Sequence, residues 1–238
     1  GQLFPNFLHR FSLHPYGLPL RARRAIAGLA KFDLPGVDLL TAPWRYALSA
    51  LRPPSAVDVS SEPPREDELA NLLDRFAGAV GLHTWRDKSV LQWRFGDGPV
   101  FNGKVWYLRS GGRLVGYYAT TTTEFSGAKF LALMDAVIDP QADDKAVTAI
   151  KRGCLQEAIR NGSDMLFTMF NPASAMARRF IGFPFLPLPD GLMKHRTPIF
   201  VVDVAPGLSA VAAREDGYAV QVSPGGVAPR HRDHRRQP

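Results

Sequence analysis

Apolar residues recur along this chain in two periods, and the change from one to the other marks its elements. Leu69, Leu72, Leu73, Phe76 and Val80 repeat at helical spacing, which predicts a helix from about Glu66 to Val80. The run "KVWYLRSGGRLVGYYATTTTEF" then predicts two strands, 104–109 and 113–122, joined by Ser110-Gly111-Gly112, a hairpin turn with glycines where a positive φ is needed. Residues 129–138 are too apolar for a half-exposed strand and are expected in the middle of a sheet. After Pro140 the pattern turns helical again. Val147, Ile150, Cys154, Leu155 and Ala158 form one stripe, and Asn161-Gly162 supplies the stop of a helix over 143–160. A buried strand follows over 164–170, then a short helix with Asn171 as its N-cap, Pro172 at its first position and Gly182 past its end. "RTPIFVVDV" closes the series as a strand. The predicted fold class is α/β (α+β), a mixed central sheet flanked by helices, with a parallel crossover through helix 143–160.

Two proline-rich breaks, "LRPPSAVDVSSEPPRED" at 51–67 and "VAPGLSA" at 204–210, set the expected organisation: an upstream part and linker over 1–60, one domain over 61–205 and a flexible basic tail over 206–238. The chain starts at Gly1, as expected of a fragment or processed product. "FPNFLHRFSLHPYGLP" at 4–19 is a weak copy of "MFNPASAMARRFIGFPF" at 169–185, which would make the first residues the end of an upstream repeat. The net charge of +7 gathers at the ends. Residues 61–225 hold 18 basic and 18 acidic side chains, against 7 and 3 in 1–60 and 4 and 1 in 226–238, so specific nucleic-acid binding by the folded part is not expected. No apolar run is long enough to span a bilayer, and the single Cys154 suits a reducing compartment, so the expected location is the cytoplasm.

Three segments carry a family resemblance: "MDAVIDPQ" running into helix 143–160, "LFTMFNPASAMARRFIGF" at 166–183, and "SVLQWRFGDGP" at 89–99. Over roughly 64–204 the chain resembles the GNAT N-acyltransferase superfamily. The last segment resembles a bacterial branch associated with exopolysaccharide biosynthesis and related to the Fem-type aminoacyl transferases. The resemblance implies acetyl-CoA or another acyl-CoA as donor, a small-molecule amine or amino sugar as acceptor, and no metal. It implies coenzyme contacts at Val137, Ala146, Val147, Thr148 and Asn171. The family's Arg/Gln-x-x-Gly-x-Gly/Ala loop falls on Asp143, Ala146 and Thr148, however, and Asp143 and Asp144 place two carboxylates where a pyrophosphate is expected. Either acid would instead cap the helix.

Acyl transfer to an amine needs a base, an acid for the leaving group and donors for the oxyanion. Glu124 and Asp135 are the candidate catalytic carboxylates. Asp135 interrupts an apolar run, so it is either catalytic or a buried acid bound to Arg94 or a backbone N–H. Glu124 is either a base or a solvated loop residue. The family often places a catalytic Tyr beyond its fifth strand, and here none follows Asn171 until Tyr218. In "LQWRFGD", Trp93 and Phe95 are expected to pack while Arg94 pairs with an acid or faces an anionic substrate, making Trp93 and Arg94 the candidate substrate contacts. Cys154, on the apolar stripe, is expected in the core. Two functions remain open from the sequence: an N-acyl- or aminoacyltransferase with a degenerate acyl-CoA loop, and a catalytically inactive binding module of the same fold.

Overall fold

Val105, Tyr107, Tyr117, Tyr118 and the apolar run 130–138 build a sheet with both faces covered, seen here in a computed structural model that describes residues 7–30, 56–80, 86–96, 103–125, 127–189 and 197–202. The strands are β1 (Phe7–Pro19), β2 (Asp58–Ser60), β3 (Gly103–Ser110), β4 (Arg113–Phe125), β5 (Ala128–Ile138), β6 (Met165–Phe170), β7 (Leu186–Pro187) and β8 (Thr197–Val202). The helices are α1 (Ala22–Ala30), α2 (Glu66–Ala79), α3 (Lys88–Phe95), α4 (Asp144–Arg160) and α5 (Ala175–Phe180). The sheet order is β2-β3-β4-β5-β6-β1-β7, with β8 paired to β1. Among the described residues only β5 and β6 are joined in parallel, through α4; the other pairs are antiparallel. The mixed sheet with flanking helices read from the sequence is therefore the observed architecture.

Neighbouring residues on a strand face opposite sides, so Tyr117 and Tyr118 show what covers each face. The Tyr117 hydroxyl reaches Asp135 on the side of α2 and Arg86. Tyr118 lies against α4, where Gly153 leaves room for its phenol, and Thr120 donates to the buried Glu157 at 2.8 Å. Cys154 is fully buried in the same layer and burial holds its thiol well above the usual range, so it is a core residue as its stripe predicts.

At the outer edge, α2 is fastened to β3 by Glu68, which accepts from Arg109 Nη1 at 2.8 Å and from Nη2 at 2.9 Å. This two-point contact holds the Glu68 carboxyl down at about 2, from an ordinary 4.5. A depressed folded value means that the stabilisation is complete above about pH 4.5 and is lost as pH falls toward about 2. Thermal unfolding across that window should show the native protein losing its advantage over Glu68→Gln as acid is added, with the gap constant at neutral pH.

The sheet also corrects the expected organisation. Residues assigned to an upstream part supply β1, whose His14–Pro19 pair with β6, and α1, which packs on β5. Leu13, Tyr16, Leu20 and Ala25 are in the same core as β5 and α4, so the boundary drawn at residue 60 does not separate two folded bodies among the described residues. Nor are 4–19 and 169–185 a structural repeat. The segment 10–15, which aligns with the helical 175–180, is extended in β1. Tyr218 and the expected tail over 206–238 lie outside the described residues.

Candidate functional site

The parallel ladder between β5 and β6 has three rungs, Phe130 with Met165, Leu131 with Leu166 and Ala132 with Phe167. Beyond it both strands continue, β5 to Ile138 against β4 and β6 to Phe170 against β1, without pairing to each other. Thr168 Oγ1 donates to the Leu133 carbonyl at 3.1 Å and closes the vertex. At the same level β5 carries an extra residue. Ala119 pairs with Asp135 and Thr120 with Leu133, which leaves Met134 outside the β4 ladder as a bulge. The result is a gap in the middle of a sheet, opening toward the C-terminal ends of a parallel pair, where ligands of open α/β sheets commonly lie. Leu133–Asp139 on one lip and Thr168–Asn171 on the other are buried, and the Phe170 ring meets Phe180 at a tilt at 5.6 Å and Phe185 edge-on at 5.7 Å beside them.

The start of α4 stands at the mouth. Asp143 caps it, accepting from the Lys145 backbone N–H at 2.9 Å, and Lys145 Nζ lies 3.4 Å from the same carboxylate. Asp144 accepts from Arg179 Nη2 at 3.0 Å, and Arg179 also donates to the Ala142 carbonyl at 2.8 Å. Arg179 thereby ties α5, which follows β6, to the first turn of α4, which follows β5. Both acids of this turn are engaged at the helix start. One of its N–H groups is satisfied by Asp143 and the Arg179 guanidinium by Asp144, which leaves two carboxylates beside the first turn of α4.

Asp135 sits beside the bulge, fully buried, and both of its oxygens are engaged. Arg86 donates from Nε to Oδ2 at 2.9 Å and from Nη2 to Oδ1 at 3.0 Å, while the Tyr117 hydroxyl donates to Oδ2 at 3.0 Å. Its partner is thus Arg86 and not Arg94. The Phe76 ring lies 5.6 Å below the Arg86 guanidinium. Four residues on, Asp139 accepts from Arg75 at 2.8 Å and Arg113 at 2.6 Å, so two arginine clamps bind the free half of β5 to the α2 side.

The other residues singled out in the sequence divide into two groups. Val137, Ala146 and Val147 are buried on β5 and the first turn of α4; the Thr148 hydroxyl donates to the Asp144 carbonyl at 2.8 Å; Asn171 follows β6. Asn171 is not the helix cap. Its Oδ1 accepts from the Ala173 N–H at 3.0 Å in a tight turn, and Ser174 caps α5, because the turn at Pro172 delays the helix by three residues. Glu124 is exposed and pairs with Lys129 at the opposite end of β5, about 13 Å of strand from Leu133. Trp93 and Arg94 lie on α3, which packs on β3, two strands from the gap. Phe95 is in the core as expected. Trp93 is 71% exposed instead of packed, and Arg94 covers the Phe95 ring at 5.1 Å. Arg179 and Thr168 were not singled out, since an arginine in a short helix and a threonine in an apolar strand carry no local signal.

Among the described residues no group of His, Cys, Asp and Glu is placed to hold a metal ion, and no helix is long and apolar enough to cross a membrane. No protein-family model matches the chain, and no characterised protein matches its sequence. Solved structures similar to it include Saccharomyces cerevisiae N-myristoyltransferase with bound myristoyl-CoA, at 13% identity and a TM-score of 0.44, covering 74% of this chain and 45% of that one. A GCN5-related N-acetyltransferase from Anabaena variabilis is 11% identical with a TM-score of 0.44, covering 80% and 39%. The C-terminal domain of a lysylphosphatidylglycerol synthetase from Agrobacterium fabrum is 16% identical with a TM-score of 0.36, covering 67% and 47%. The chain spans less than half the length of each of these three.

Proposed function

We propose that this chain is an N-acyltransferase-like protein with a degenerate acyl-CoA loop, and that the gap between β5 and β6 is its site. The observation that carries the reading is the ladder that stops after Ala132 and Phe167 with the Met134 bulge at its vertex. A bulge releases backbone groups from the neighbouring ladder, and in this reading the backbone at the bulge would hold the carbonyl oxygen of a transferred acyl group. The acceptor class is an amine on a small molecule, and the likeness of 89–99 to the exopolysaccharide-associated branch directs a screen to amino sugars first. With Asp135 engaged by Arg86 and Tyr117 and Glu124 at the far end of β5, positioning of donor and acceptor carries more of the transfer than proton removal by a free carboxylate.

The acid-capped turn of α4 favours a second reading, a binding module of the same fold whose coenzyme seat is closed. Calorimetric titration of CoA, acetyl-CoA and a long-chain acyl-CoA into the full chain separates the two. Asparagine caps as well as aspartate, so Asp143→Asn/Asp144→Asn removes charge and keeps the helix start. Two charges about 6 Å from a phosphate are worth about 0.7 kcal/mol each in water, so the double variant should bind CoA about tenfold more tightly than the native protein. Acyl transfer to an amine by the native chain supports the first reading. Donor binding only in the double variant supports the second, and no binding by either removes the donor site from the gap.

A further inference from the structure

A cavity of about 720 Å³ lies away from the gap, between α3, β3 and the turn after β2, a volume within the range of small-molecule sites. Leu91 and Phe95 form its helix side, and Val105 and Tyr107 its strand side. It lies along a bare stretch of sheet edge. β2 covers β3 only from Tyr107 to Arg109, so among the described residues Lys104–Trp106 have no outer strand beside them.

Ser61 and Gln92 are the neutral polar side chains of the wall, and its charge is of one sign. Lys88 and Lys104 are its charged residues, both exposed, and neither meets an acid among the described residues. Trp106 contributes to the wall and its indole N–H is buried without a hydrogen-bond partner. Tyr107 is buried, and burial raises its phenol above the ordinary value, so it keeps its proton. Among the described residues no acidic one lines the cavity. A mainly apolar wall with further donors and two ammonium groups that meet no acid among the described residues is complementary to a ligand with an apolar body and an anionic end.

We propose that this cavity binds a small amphipathic carboxylate, with its apolar body between Leu91, Phe95, Val105 and Tyr107 and its carboxylate at Lys88 and Lys104. The site is independent of the transfer reading, since β4 separates β3 from the gap. The probes are decanoate, decan-1-ol and acetate, each titrated into the full chain below its aggregation concentration and followed by calorimetry and tryptophan fluorescence. Decanoate should bind at one site per chain, acetate should not bind, and decan-1-ol should bind at least tenfold more weakly. Lys88→Gln/Lys104→Gln should weaken decanoate about tenfold or more, as loss of charged hydrogen bonds requires, with thermal unfolding unchanged because both side chains are exposed. Absence of saturable decanoate binding, equal affinity for decanoate and decan-1-ol, or a double variant that binds as the native chain does would each overturn the proposal. So would adsorption to anionic lipid vesicles without saturable decanoate binding, which would assign the two lysines to a membrane surface.

Discussion

Arg86→Met will destabilise the protein by about 3–5 kcal/mol, because it leaves the Asp135 carboxylate inside the sheet with one hydroxyl for company. Both members of the pair are nearly sealed, with side chains 2% and 1% exposed, so water cannot take over from the guanidinium. The double variant Arg86→Met/Asp135→Leu should recover most of the loss, since two apolar side chains ask for no partner. Urea unfolding of both variants measures this. A loss below about 1 kcal/mol in the single variant would mean that Asp135 has another neutralising arrangement. The same pair decides how an inactive Asp135→Asn should be read. That variant strands Arg86, and an activity loss that tracks its fall in stability belongs to the fold and not to a proton transfer. If transfer is abolished at a temperature where Asp135→Asn is still fully folded, the carboxylate has a chemical role despite its partners.

Apart from the helix α3 and the two-residue β7, the order of strands and helices from residue 66 onward was legible because each element carries its own period. The stripe from Val147 to Ala158 is helical over the residues where α4 is found, and the turn at Gly111 and Gly112, with φ of 56° and 79°, is where a hairpin needs them. The acid cap at the strand–helix junction was legible too, since a helix start depends on adjacent residues alone, and Asp143 does cap α4. Contacts between distant segments were not. Asp135 was marked as needing a partner, but a buried acid does not say which arginine reaches it, and Arg86 is 49 residues away in sequence. Trp93 was expected to pack because tryptophan usually does; α3 buries Leu91 and Phe95 instead, and one helix of eight residues has a single inward face. The gap itself had no sequence signature. It comes from where a parallel ladder ends, and neither Ala132 nor Phe167 differs in kind from the residues that follow. Nor could β1 be placed, because a strand from the first twenty residues joins β6 only after the chain has closed a long loop.

Gly17→Ala is expected to cost about 3 kcal/mol, near the upper end for overpacking, because the obstacle is backbone. A methyl group at Gly17 would run into the carbonyl oxygen of Leu166 and come within 2.8 Å of the Met165 methyl. The side chain can turn away, but the carbonyl belongs to β6 in the centre of the sheet, so β1 must lift off the strand it pairs with from His14 to Pro19. Gly78→Ala provides the control. It lies exposed in α2 with nothing within 4 Å of the added atom, and should stabilise the protein by about 0.5–1 kcal/mol. The form of the loss in Gly17→Ala carries the structural argument. With Leu13, Tyr16 and Leu20 in the common core, β1 unfolds together with β5 and β6, and the variant should shift one cooperative urea transition to lower concentration by every probe. A native midpoint accompanied by rapid proteolysis confined to the first thirty residues would show β1 to be an attachment whose loss the sheet survives. It would restore a boundary near residue 60. A single shifted transition places that boundary elsewhere, because a segment that melts with the parallel pair belongs to the same folded unit as the gap it borders.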